Sequence, residues 1–169
     1  MSTRHFVHPI CLLAMILLLP AANARAELAA WDQAKVTGFA KDLVTATDAL
    51  YDTFMQQPPP PNPGSTQSAS YHRLKHRVWM LRGEGRVLVK SLEDGDAREQ
   101  TELTYEMLMS HARSARSEAS IVFVAKDVGE RAAAVRGVLN QLGPYYDPDF
   151  RTLAPDPNIE AGATRPAPR

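Results

Sequence analysis

One stripe of apolar residues, between Tyr71 and Leu92, restricts the fold more than any other feature of this chain. Its members recur at alternating steps of three and four residues: Tyr71, Leu74, Val78, Leu81, Gly85, Leu88 and Leu92. That spacing places all of them on one side of an α-helix. The stripe therefore predicts a long helix with a single buried seam, which other helices must cover.

Two glycines in this segment leave a second interpretation open. Gly83 and Gly85 each cost about 1 kcal/mol relative to alanine inside a helix, so a kink or a close helix contact is expected there. The alternative is a β-hairpin that turns at residues 82–85. Residues 78–81 read Val-Trp-Met-Leu, which does not alternate as a half-buried strand does, and this favours the helix.

Three further segments also have helical spacing. Residues 29–57 contain one glycine and no proline, and their apolar residues recur at Val36, Phe39, Leu43, Ala46 and Leu50. A third helix is predicted from about Ala97, capped by Asp96, and a fourth over Ile121–Leu142. The stripes of these two helices are out of phase across residues 114–120, so we expect a break there.

Proline marks the places where helices stop. Residues 58–70, PPPPNPGSTQSAS, predict a connector after the first helix, because proline has no amide hydrogen to donate. Residues 147–169 are again rich in proline and predict a disordered tail, with three aromatic residues able to close the end of the bundle: Tyr145, Tyr146 and Phe150. The predicted fold is all-α, an antiparallel up-and-down bundle of about four helices over residues 27–146.

The first 26 residues have the layout of a secretory signal peptide. Arg4 precedes an apolar run over Ile10–Leu19, and small residues follow. That run is about half of the ~20 residues needed to cross a bilayer. We therefore expect cleavage after Ala26, an exported chain, periplasmic or secreted, and no transmembrane segment in the mature protein.

The single cysteine and the balanced charge exclude several classes of protein. Cys11 lies inside the predicted leader, so the mature chain would have no disulfide, no thiolate metal site, no covalently attached c-type haem and no cysteine nucleophile. The whole chain has 19 basic and 19 acidic residues, which gives no general attraction to nucleic acid. A hydrophobic core must then hold the domain together.

A group of histidines and methionines is a candidate metal site. His72, His76 and Met80 follow one another at single-turn steps on the second helix, and Met107 and His111 are expected opposite on the third. Imidazole with thioether suits copper, particularly the reduced ion. The alternative is that the histidines are solvated and the methionines fill gaps in the packing.

The outer face of the second helix is a candidate surface for a partner. It carries one tryptophan among arginines, here called the basic Trp79 face: Trp79, Arg73, Arg77, Arg82 and Arg86. A tryptophan in such a setting can anchor another exported protein or an acidic ligand. The alternative is that carboxylates of the neighbouring helices pair with the arginines inside the bundle.

Catalytic signatures are missing from the sequence: it contains no HExxH, no nucleophile elbow and no phosphate loop. The leading prediction is an exported, non-enzymatic binding or scaffold protein that uses the basic Trp79 face. The second is a copper-binding protein. The third is a protein that holds a small ligand in the bundle core, with room provided by Gly83 and Gly85.

Overall fold

The computed structural model describes residues 27–156, and its secondary structure is entirely helical. It has four helices, α1 (Gln33–Gln56), α2 (Thr66–Glu93), α3 (Arg98–Ala119) and α4 (Lys126–Tyr146). The described residues contain no strand, so the all-α prediction is confirmed and the hairpin interpretation is wrong. The predicted signal peptide and the residues after Asp156 lie outside the described part.

The four helices do not contact one another equally. α1 packs against α2 and α4, and α2 also packs against α3, whereas α3 and α4 touch each other sparingly. The up-and-down order of the bundle stays a prediction. The thin contact between α3 and α4 leaves space on that side of the core.

The core is built on the seam that the sequence predicted for α2. All seven of its members are buried, and they meet the apolar stripes of the other three helices. The centre contains one fully buried leucine from each helix: Leu43, Leu88, Leu108 and Leu142. These contacts supply the burial that a chain without disulfides needs.

α2 begins at Thr66, inside the segment predicted as a connector. The hydroxyl of Ser65 accepts a hydrogen bond from the amide of Ser68 at 3.1 Å, which caps the first turn. Residues 66–70 are therefore helical, and only the proline-containing residues before Ser65 connect α1 to α2.

The two ends of α3 also differ from prediction. Its N-cap is Ala97, with no side-chain capping bond, so the expected cap by Asp96 is wrong. The carbonyl of Asp96 accepts from Gln33 Nε2 at 3.0 Å instead, which ties this turn to the start of α1. At the other end Ile121 is 39% exposed, whereas Val122 and Val124 are buried, because residues 120–125 form an irregular connection and not the start of α4.

α4 continues past Pro144 to Tyr146, beyond the predicted end at Leu142. The ring nitrogen of Pro144 has no hydrogen to donate, but its carbonyl accepts from the amide of Ala29 at 2.8 Å. Tyr145 and Tyr146 are buried, and their burial holds the last turn in helical form.

Residues 147–156, here called the strap, lie against α4. They were predicted to belong to a disordered tail. Leu153 donates its amide to Asn140 Oδ1 at 2.7 Å, and its carbonyl accepts from Asn140 Nδ2 at 3.3 Å. The Phe150 ring covers Gly143, where a methyl group would collide with it. The rest of the predicted tail, residues 157–169, lies outside the described part.

Candidate functional site

Trp79 faces outward on α2 and is 53% exposed. Its ring stacks on the imidazole of His76, with 5.8 Å between centroids and 27° between planes. His72 is exposed one turn earlier and meets the ring of Tyr71 edge-on. This end of the basic Trp79 face therefore presents aromatic surface to solvent.

The arginines of the same face are engaged within the bundle. Arg73 makes two hydrogen bonds to Glu118, at 2.7 and 3.0 Å. Arg82 and Arg86 both bind the carboxylate of Asp48 on α1, and Arg82 also lies over the ring of Tyr51. Internal charge pairing, the alternative raised from the sequence, is what three of these four arginines do.

The fourth arginine, Arg77, contacts one of the candidate copper ligands, His111. Arg77 Nη1 lies 3.4 Å from His111 Nδ1, so the ring nitrogen must be unprotonated to accept a hydrogen bond. Burial lowers the pKa of His111, and the positive charge of Arg77 lowers it further. His111 therefore has a guanidinium beside one of its two ring nitrogens, where a metal cation would be repelled.

The other candidate ligands are spread along the α2–α3 edge. Met80 is half-buried, and Met107 is exposed on α3. Residues 27–156 contain no group of three or more histidine, cysteine, aspartate or glutamate side chains that could hold a metal ion. Copper binding by His72, His76, Met80, Met107 and His111 stays a prediction.

Gly83 and Gly85 do not open the core. A methyl group placed on Gly83 would meet nothing within 4 Å, because this residue faces solvent. Gly85 lets α2 approach α1, where a methyl group would lie 3.5 Å from Val44. The prediction that these glycines make room for a ligand is wrong, although the expected close helix contact at Gly85 is present.

Room for a ligand exists elsewhere, between α3 and α4. A cavity of about 210 Å³ lies there, here called the α3–α4 cavity. Its walls come from all four helices, the connection before α4 and the strap. The apolar residues that line it are Leu50, Phe54, Leu74, Val78, Leu81, Ala112, Ala115, Ala119, Val124, Val128, Ala132, Val135, Leu139, Leu153 and Ala154.

Alanines on the two facing helices create this space. α3 places Ala112, Ala115 and Ala119 toward α4, and α4 places Ala132 toward α3. A helix pair that approached closely would interdigitate larger side chains here, but these methyl groups are too short to meet. The spacing of apolar residues places Ala112, Ala115 and Ala132 on the inward faces of their helices, but it does not show that these small residues face one another.

The cavity lining also contains four charged residues, three arginines and one aspartate. Arg113, Arg116 and Arg136 line it together with Asp156 of the strap. Arg116 Nε lies 3.5 Å from Asp156 Oδ2. Arg113 is exposed and pairs with no carboxylate within residues 27–156. The site therefore combines an apolar chamber with guanidinium groups at its edge.

Comparisons with known proteins add no assignment to this geometry. No protein-family model matches the sequence, and neither the curated proteins nor the solved structures contain a match to it. None of the helices in the described part is both long enough and apolar enough to cross a membrane.

Proposed function

We propose that this chain is an exported, non-enzymatic helical-bundle protein that binds one small apolar ligand in the α3–α4 cavity. The observation that carries the proposal is the cavity itself, about 210 Å³ with an almost wholly apolar wall. Binding in the bundle core ranked third from the sequence. It now ranks first, because the arginines of the basic Trp79 face are largely paired internally.

The size of the cavity suits a small ligand. An apolar cavity of about 150 Å³ is enough to bind benzene. This one is larger and opens to solvent beside the exposed Arg113 and Arg116, so a longer ligand can extend beyond its edge. The lining leucines and valines lack neighbours on the cavity side, and a ligand would restore those dispersion contacts.

The proposal is tested by titrating the mature protein with 1-N-phenylnaphthylamine, a neutral apolar fluorophore. We expect saturable binding to one site with increased fluorescence. Ala115→Leu fills the cavity and should weaken binding at least tenfold. Ala134→Leu is the matched control, because Ala134 is exposed on α4 and does not line the cavity. Failure of the wild-type protein to bind, or equal binding by both variants, would overturn the proposal.

Export rests on the residues before Glu27, which lie outside the described part. Expression of the full chain in a bacterial host should yield a mature protein that starts at Glu27 and is recovered outside the cytoplasm. Mass spectrometry of the purified protein measures that N-terminus. An uncleaved chain retained in the cytoplasm would contradict the proposal.

A second candidate function is capture of another exported protein through Trp79. Its exposed ring, stacked on His76, supports this, since tryptophan is enriched among residues that dominate binding at interfaces. We expect that Trp79→Ala abolishes partner capture in the exporting compartment while leaving fluorophore binding intact. Val87→Ala, an exposed substitution on the same helix, is the control that should change neither.

A further inference from the structure

We infer that the natural ligand of the α3–α4 cavity is a medium-chain carboxylate, with its alkyl chain among the alanines and its carboxylate on Arg113 and Arg116. This inference rests on the proposed function, because it names the chemical class that the cavity would accept. Three features support it: the charge at the cavity edge, the geometry of the guanidinium group and the absence of polar side chains deeper inside.

Among the residues that line the cavity, positive charges outnumber negative ones. Three guanidinium groups and one carboxylate line the cavity. The Arg116–Asp156 distance of 3.5 Å is longer than the ~2.8 Å of a close charge-assisted hydrogen bond. Arg113, one turn before Arg116 on α3, adds a second guanidinium that makes no salt bridge in the described residues, although it also borders a second pocket that three carboxylate side chains line. A ligand carboxylate placed between them would be bound by both.

The guanidinium group selects among anions and neutral head groups. It is planar and presents paired N–H donors that match the two oxygens of a carboxylate. An alcohol offers one oxygen and no charge, and an amine would be repelled. Two arginines at the solvent-exposed edge of an apolar chamber therefore distinguish a carboxylate from an alcohol of equal length by charge and by paired hydrogen bonds.

The interior restricts the remainder of the ligand to hydrocarbon. The side chains that line the cavity are apolar except for Arg113, Arg116, Arg136 and Asp156. A polar group carried inward would lose its hydrogen bonds to water without finding a partner. The ligand should therefore have a single polar end, which a monocarboxylate has and a dicarboxylate does not.

The experiment compares decanoate with decan-1-ol, which share a chain length and differ in the head group. Each displaces 1-N-phenylnaphthylamine from the mature protein at pH 7. We expect decanoate to bind at least tenfold more tightly. The double variant Arg113→Gln, Arg116→Gln should bring the two affinities together by weakening decanoate alone. Arg131→Gln, an exposed arginine of α4 outside the cavity lining, should retain the wild-type preference.

Each outcome separates this inference from the proposed function. Equal binding of decanoate and decanol by the wild-type protein would overturn the carboxylate assignment and leave an apolar ligand site. A preference that survives in the double variant would overturn the role of the two arginines. If neither compound nor the fluorophore binds, the proposed function itself fails. The wild-type comparison requires no variant, so it stands even where the double variant does not fold.

Discussion

Tyr105 and Tyr146 stack face to face with 4.3 Å between ring centroids, yet their hydroxyl groups differ. The hydroxyl oxygen of Tyr146 lies 3.0 Å from Thr101 Oγ1, within hydrogen-bond distance. Since Thr101 donates its own hydrogen to the carbonyls of the preceding turn, Tyr146 is the donor. The hydroxyl of Tyr105 is buried without a partner in the described residues, and burial raises the pKa of this phenol.

This difference predicts opposite effects for the same substitution. Tyr146→Phe removes a buried hydrogen bond and should lower the free energy of unfolding by about 1 kcal/mol. Tyr105→Phe removes a buried hydroxyl that has lost its hydration, so it should leave stability unchanged or raise it. Both variants retain the stacked rings and serve as each other's control in urea unfolding. Equal losses in the two variants would contradict the assignment.

Asp48 joins α1 to α2 by accepting from two arginines. Burial raises the pKa of its carboxyl group, but hydrogen bonds and charge from Arg82 and Arg86 outweigh burial and hold the pKa below its ordinary value of 3.8. Because the folded-state pKa is the lower one, this carboxylate stabilises the fold fully above pH 3.8. The stabilisation is lost as the pH falls through the folded-state pKa.

Asp48→Asn should therefore lower the free energy of unfolding by about 1 kcal/mol at pH 7, as expected for a partly exposed ion-pair network. The gap between wild type and variant should close as the pH falls below the folded-state pKa. Urea unfolding at a series of pH values measures this. Asp42→Asn, an exposed position on the same helix, should match wild type throughout. A gap that persists at low pH would refute the electrostatic origin.

At the scale of elements, α4 and the strap depend on one close approach. Phe150 packs where Gly143 has no side chain. Gly143→Ala gains about 1 kcal/mol of helix propensity, but its methyl group must displace the ring, which costs more in a packed interior. We expect a net loss of about 1 kcal/mol and faster tryptic cleavage at Arg151 in the loosened strap.

Gly137 is the matched control for this prediction. It lies on the same helix with nothing within 4 Å of an added methyl group, so Gly137→Ala should raise stability by up to about 1 kcal/mol. Thermal unfolding compares the two variants, and mass spectrometry identifies the cleavage site. A stabilised Gly143→Ala protein with unchanged cleavage would show that the strap does not need this contact.

Helix faces could be predicted from sequence, and so could the end of α1 before the prolines, but several other helix ends could not. The α2 seam is fixed by residue spacing alone, and every member is buried. The ends depend on partners distant in sequence. Pro144 stays helical beside buried Tyr145 and Tyr146, and α3 starts without the expected cap because the turn before it is bound to Gln33. Such contacts leave no local pattern to read.

At the scale of the whole molecule, the candidate site could not be predicted either, because it too depends on contacts between residues that are distant in sequence. Inward positions for Ala112 and Ala132 followed from periodicity, but the cavity arises only because α3 and α4 place their small residues opposite each other. The pairing of the basic Trp79 face was foreseen as an alternative. Its partners, Asp48 and Glu118, are set by the register between helices, which the spacing within one helix does not specify.

The register between helices also determines which contacts the candidate copper ligands already make. Binding through the predicted ligands requires His76 and His111 to turn toward one ion, yet His76 stacks on Trp79 and His111 accepts from Arg77. Both contacts would have to break, and the guanidinium would remain close to the incoming charge. Within residues 27–156, no group of three or more His, Cys, Asp or Glu side chains is suited to hold a metal.

We therefore expect the mature protein, purified gently from the compartment to which it is exported, to contain no stoichiometric copper. Metal analysis and the absorption spectrum measure this directly. Arg77→Gln removes the opposing charge, so it should raise any residual copper affinity, whereas Arg131→Gln, remote from the α2–α3 edge, should not. Stoichiometric copper in the wild-type protein that is lost in His76→Gln and His111→Gln would reverse this conclusion and make the histidines and methionines of that edge the functional site.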